Sequence, residues 1–224
     1  MNISIKDVLQ RIRLFFVLYL ILLCCCLIIK VLYSKDAIYY TVNGRFSDWA
    51  DYLAPYITAI GNGWTTIILS VILALFNYRK AFLLASSYAI TSLLAQLIKH
   101  IVKAPRPKLY FHDQLTRIHF VKGAYTDTFN SFPSGHTVTA FSTALVISYL
   151  LKNKNWSILL FLIAVLVGYS RMYLSEHFFE DVTAGSALGV FLTIFWISYI
   201  DGKKFLHTTG WNKGLLKSKL KSQN

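Results

Sequence analysis

LFFVLYLILLCCCLIIKVLY, residues 14–33, holds a single charged side chain, Lys30, in its whole length. A bilayer core of about 30 Å takes about 20 consecutive apolar residues in a helix to cross. This stretch therefore reads as a membrane span. Five more apolar runs follow it: Trp64 to Phe76, Ala81 to Ile98, Thr137 to Leu151, Trp156 to Gly168 and Val182 to Ile200. Three of them are short, which predicts helices that extend into flanking polar residues lining a cavity. Across all 224 residues, 55% are hydrophobic and mean hydropathy is +0.50, far too apolar for a soluble domain of this length. The expectation is an all-α polytopic membrane protein with six transmembrane helices, forming a single membrane domain over residues 1–224.

The net charge of +13 could suggest nucleic acid, but its placement argues for a membrane protein without a nucleic-acid partner. Basic residues sit between the apolar runs. With a cytoplasmic N-terminus, Lys6, Arg11, Arg13, Arg79, Lys80, Lys152, Lys154 and six lysines after Asp201 fall inside, 13 of the 23 Lys and Arg. That modest bias sets the expected orientation, with both termini inside. The basic segment 202–224 reads as a cytoplasmic tail that could lie on the anionic leaflet, though a simple orientation signal accounts for it better. Six of the ten outer cations lie between Lys99 and Lys122, on the disfavoured side, which points to some other use.

Cys24, Cys25 and Cys26 are adjacent in the first run, where neighbouring side chains diverge around a helix, so they cannot staple a fold. A lipoprotein signal would share the basic start and apolar stretch before Cys24. Leu23 is not the small residue its cleavage wants, and apolar sequence continues to Tyr33, which favours a plain membrane helix.

Between the first two runs, Trp49, Leu53, Tyr56 and Ile60 recur at helical spacing, as in a helix lying in the membrane interface. The region Ser34 to Gly63 is expected to be a lid or spacer, ended by Gly61, Asn62 and Gly63. Pro105 to Pro133 is expected to be a loop, and loops of more than about 15 residues are usually functional or disordered.

Three segments put polar groups at the ends of apolar runs. In Lys99 to Pro107, the prolines at 105 and 107 disfavour helix at Ala104 and Arg106, so the helix should end near Lys103 with Arg106 on a stiff extended clip. In Phe132 to His136, Ser134 is placed as an N-cap and Gly135 permits close backbone approach at a helix start, where a phosphate is favoured. In Ser170 to Asp181, His177 and Asp181 are four apart, on one face if helical, so Asp181 can orient His177 as a nucleophile. Taken alone, the first segment reads better as a membrane flank and the third as a surface pair, while the second reads equally well as a capped helix.

Alternating spans bring all three to one side of the membrane. Lys99, Arg106 and Arg171 would be costly together at membrane depth without an anion, and arginine forks match phosphate oxygens. The spacings Lys99-x6-Arg106-Pro107, Pro133-Ser134-Gly135-His136 and Ser170-Arg171-x5-His177-x3-Asp181 resemble the full three-part signature of the type-2 phosphatidic acid phosphatase superfamily, as a bacterial membrane lipid phosphatase would carry it. The signature spans residues 99–181.

That resemblance implies that His177 attacks phosphorus to form a phosphohistidine, that Asp181 orients it, and that His136 protonates the leaving oxygen and then activates water. It assigns Lys99, Arg106, Ser134, Gly135 and Arg171 to the phosphate, with no cofactor and no metal. Undecaprenyl diphosphate, phosphatidylglycerophosphate, phosphatidic acid and lipid A are the substrates it suggests, at a site facing away from the cytoplasm of a bacterial inner membrane. A lipid phosphotransferase of the same superfamily and a non-catalytic membrane protein are the alternatives. A metal on His136, His177 and Asp181 is disfavoured by the three cations beside it. A membrane serine protease built on Ser134 leaves those cations without a role.

Overall fold

The computed structural model describes residues 3–123 and 127–216, and among these the regular elements are all helical. Arg13–Leu32 (α2) follows a short amphipathic helix, Ile5–Arg11 (α1), capped by Ser4 and Asp7. Then come Lys35–Asn43 (α3), Asp48–Ile60 (α4), Gly63–Phe76 (α5) and Tyr78–Val102 (α6). A four-residue helix, Pro107–Tyr110 (α7), precedes Gly135–Leu150 (α8), Trp156–Tyr173 (α9) and Phe179–Ile200 (α10). Among the described residues, four helices are long and apolar enough to cross a membrane, and a fifth crossing results if α4 and α5, bent by 50° at Gly61 and Asn62, count as one.

Helix α8 departs from the expected span. Its 16 residues reach about 24 Å, short of a bilayer core. Eleven of them are buried, and α6, α9 and α10 all pack on it. A helix apolar all round belongs in the middle of a bundle. Helix α2 is the opposite case: only 11% of its apolar window is buried, so Cys24 and Cys25 face outward.

Two glycines set the spacing between α8 and α10. A Cβ on Gly185 would stand 2.8 Å from the Ser134 carbonyl oxygen, and one on Gly189 2.6 Å from that of Val138. Only a bare backbone allows this approach, and it lets the Ser134 amide donate to the Asp181 carbonyl at 3.0 Å. The starts of two helices are thereby fastened together.

The connection from Pro105 to Pro133 is not wholly a loop. It contains α7, started by Pro107, and a 3₁₀ turn at His112–Arg117. Helix α6 ends at Val102, with Lys103 left-handed at φ 48°, and the chain leaves extended. The Arg106 amide, between two prolines that cannot donate, bonds the Thr128 carbonyl at 2.8 Å, and the Ser131 amide bonds that of Ala104 at 3.0 Å. The arginine clip is thus tied to the far end of its own connection.

The segment after Asp201 folds back rather than trailing away. The Tyr78 and Arg79 amides donate to the Lys213 and Trp211 carbonyls, Leu206 is buried, and Trp211 packs edge-on to Phe82. Of the six lysines after Asp201, Lys203, Lys204 and Lys213 belong to this folded-back segment, and those at 217, 219 and 221 lie outside the described residues.

Candidate active site

Lys99, on the last turn of α6, sends its ammonium to the Asn130 carbonyl at 3.0 Å. Arg106 donates through Nε to the Phe129 carbonyl at 2.9 Å and through Nη1 to Glu176. Arg171, at the end of α9, donates through Nη1 to Thr58 Oγ1 at 2.8 Å, and its Nη2 lies 3.2 Å from the same Glu176 oxygen. Its Nε is buried without a partner among the described residues. All three cations are buried. They line one cavity of about 260 Å³ with Gly135, His136 and His177. A second cavity of about 380 Å³ adjoins it across Arg106, His136 and Arg171.

The turn at Gly61 closes over this cavity. A Cβ there would stand 2.8 Å from the His136 carbonyl oxygen and 2.5 Å from Val167, so the α4–α5 bend can press against the start of α8 only with glycine.

His177 and Asp181 meet, but not on one helix. Asp181 is the third residue of α10, where its Oδ2 accepts from the Phe178 amide at 2.8 Å. His177 precedes the cap, in the turn that leaves α9, and its amide and that of Glu176 both donate to the Arg171 carbonyl. A capping carboxylate reaches back beyond its own helix, so the four-residue spacing brings the pair together from loop to helix. His177 Nδ1 stands 3.6 Å from Asp181 Oδ2. Ser131 bridges them, its hydroxyl donating to Asp181 Oδ2 at 2.5 Å and lying 3.4 Å from His177 Nδ1.

Ser134 is the cap residue of α8 by position, but its hydroxyl caps no amide. It accepts from Thr137 Oγ1 at 2.9 Å and is wholly buried behind the cavity, while Gly135 lines it. The cause is the local backbone: the Ser134 amide is bound to the Asp181 carbonyl, which turns the side chain inward.

Burial, and after it the Arg171, Arg106 and Lys99 cations and His136, hold the His177 ring well below its ordinary value of 6.5. Burial pushes Glu176 upward, against the pull of Arg171 and Arg106.

The region expected to be a spacer holds this machinery in place. Thr58 of α4 bonds Arg171. From α3, Tyr39 OH and Asn43 Nδ2 donate to Ser175 Oγ at 2.9 and 3.0 Å. Ser175 is left-handed at φ 56°, one residue from Glu176 and two from His177. Asn43 also clasps His119, whose ring Nε2 is 2.8 Å from Asp51 Oδ2. Ser131, Thr58, Glu176 and Tyr39 went unread in the sequence. Glu176 alone had a signal, as an acid between two signature residues.

A model of the PAP2 superfamily matches residues 80–205. Phosphatidylglycerophosphatase B of Bacillus subtilis (strain 168) is 32% identical over 155 residues, 64% of this chain and 65% of that protein. Undecaprenyl-diphosphatase of Sulfolobus acidocaldarius is 29% identical over 156 residues, 66% of this chain and 68% of that one. The chain thus spans about two thirds of the length of these relatives. The crystal structure of a transmembrane PAP2 type phosphatidylglycerolphosphate phosphatase from Bacillus subtilis superposes with a TM-score of 0.63 at 28% identity, covering 85% of this chain and 96% of that one.

Proposed function

The chain belongs to the PAP2 superfamily, and on that premise we propose that it is a metal-independent phosphatase of membrane lipids working through a phosphohistidine. The observation that carries this reading is the convergence of Lys99, Arg106, Gly135, His136, Arg171 and His177 on one cavity. Those residues come from the ends of three helices and the connections beside them.

In the proposed reaction, the free ring nitrogen of His177, Nε2, attacks phosphorus in line with the leaving oxygen. Nδ1 faces Asp181, whose charge, directly and through the Ser131 hydroxyl, stabilises the imidazolium character that develops. His136 protonates the leaving alcohol or phosphate. It then removes a proton from the water that attacks the phosphohistidine and returns free phosphate. Lys99, Arg106, Arg171 and the Gly135 amide take the equatorial oxygens, where charge is spread in the transition state. Ser134 supports that cradle from behind.

The substrate class is a phosphomonoester or diphosphate headgroup on a lipid: phosphatidylglycerophosphate, undecaprenyl diphosphate, phosphatidic acid or lipid A. The first two are the groups for which the relatives above are named. We place one domain, residues 1–224, in a bacterial inner membrane with both termini cytoplasmic and the cavity facing outward. Helix α8 makes the sixth crossing, sheltered by its neighbours. Helix α4 lies toward the interface, where Trp49, Tyr52 and Tyr56 are its most exposed large hydrophobic side chains.

Purified protein in excess EDTA is expected to release phosphate from one or more of these four lipids, and His177→Ala protein is expected to release none. Activity restored only by a divalent metal, or an active His177→Ala variant, would overturn the mechanism. Reagent applied from outside the cell is expected to label a cysteine placed at Lys122, on the connection beside the cavity.

A further inference from the structure

Glu176 lines the adjoining cavity and pairs with two of the three cations assigned to phosphate, yet the proposed reaction gives it no step. Its side chain is only 5% exposed, and one oxygen, Oε2, serves both Arg106 Nη1 and Arg171 Nη2. The other guanidinium contacts go to fixed acceptors: Arg106 Nε to the Phe129 carbonyl and Arg171 Nη1 to Thr58. Arg106 Nη2 comes within 3.8 Å of Asp127 at the rim. A phosphate seeking a two-pronged grip on either arginine therefore meets a carboxylate already holding it. Carboxylate and phosphate are interchangeable guests for a guanidinium fork.

We propose that Glu176 is an internal counter-anion that competes with the phosphate group for Arg106 and Arg171, pairing the two arginines between turnovers and weakening the hold on phosphate product. The backbone supports this role. The amides of Glu176 and His177 are both pinned to the Arg171 carbonyl, and Ser175 is held by Tyr39 and Asn43. The main chain and His177 can thus stay in place while the Glu176 side chain swings off the arginines. Arg171 Nε, buried and unpartnered among the described residues, is a donor that an anion can take once the Glu176 side chain has moved aside. The charge balance points the same way. Three buried cations face two buried carboxylates, Glu176 and Asp181. Removing the Glu176 charge leaves a larger positive surplus for a dianion.

The inference rests on reading the cavity as a phosphate site, and one experiment separates the two. Inorganic phosphate is titrated calorimetrically into the detergent-purified full chain, as wild type and as Glu176→Gln, which keeps the shape and loses the charge. A competing counter-anion predicts phosphate binding about tenfold tighter in the variant. It also predicts a lower melting temperature without phosphate and a larger rise on adding it. A purely structural clamp predicts the opposite sign, because loosened arginines bind phosphate less well. Equal or weaker binding by Glu176→Gln overturns the proposal and leaves the phosphate site standing. If the Gln variant does not fold, Glu176→Asp carries the same test, since its shorter arm cannot serve both arginines. Tighter binding supports the counter-anion, and equal or weaker binding overturns it. Failure of wild type and variant alike to bind phosphate sinks both readings.

Discussion

At one end of the bundle, Asp201 takes Arg79 Nε and Nη2 at 2.8 and 2.6 Å and the Tyr149 hydroxyl at 2.7 Å, and Arg11 joins through Tyr149 at 3.1 Å. At the other, one Glu176 oxygen is shared by two arginines while Lys99 leans on a carbonyl. The ends are built on the same helices: Arg79 and Lys99 stand twenty residues apart on α6, and Asp181 and Asp201 twenty apart across α10. Twenty helical residues reach about 30 Å, the depth of a bilayer core. The first cluster gives its acid two opposite oxygens for one guanidinium fork, so the ion pair is complete. The second has more cation than it can pair internally. Completed pairing suits a fastening, and surplus charge of one sign suits a guest of the other.

The contrast is most severely tried by activity. His177→Ala is expected to lower phosphate release by at least about 10³-fold. Asp201→Asn should leave the rate per folded molecule within about threefold, because Asp201 touches nothing near the cavity. Equal losses in the two variants would erase the distinction between the ends.

Stability should divide the other way. Asp201→Asn leaves Arg79 facing a neutral amide in a buried site, a cost of about 3 kcal/mol, visible as a lower melting temperature in detergent. A mild loss would mean that this end is wet and its ion pair ordinary.

A smaller effect isolates the Ser131 bridge. Ser131→Ala is expected to lower kcat about tenfold with KM nearly unchanged, since the hydroxyl touches His177 and Asp181 and does not line the cavity. A rise in KM alone would move Ser131 from orienting the nucleophile to binding the substrate.

The mildest test is pH. His177 in the folded protein takes a proton well below 6.5, whereas in the unfolded chain it takes one near 6.5. The unfolded state therefore binds the extra proton first. The stability held above that pH is lost as pH falls through it, by up to about 1.4 kcal/mol per pH unit. His177→Gln should flatten this acid limb. An unchanged slope would show that burial and the neighbouring cations do not disfavour the charged His177 ring as their positions require.

The sequence carried the helices well because apolar length is a local property: the runs beginning at Leu14, Trp64, Ala81, Trp156 and Val182 all became helices with nearly those limits. The site was legible through spacing, since prolines at 105 and 107 fix where Arg106 leaves α6. What could not be read depends on where chain ends and connections return. Ser131 lies 46 residues from His177 and Thr58 113 from Arg171, and nothing local to either announces its partner. The shared helix face expected for His177 and Asp181 failed for a related reason. A carboxylate can serve an amide before its helix, and period alone does not say which residue will be the cap.

Arg79 and Asp201 are separated by 122 positions in the chain. Synthesis runs from the N-terminus, so while those 122 positions are being made the arginine does not yet have Asp201 to meet. Its partner arrives only with the residue that caps α10. The ion pair is then less a brace added to a finished bundle than the closing event of assembly. A chain broken off before residue 201 would be left with Arg79 unlatched.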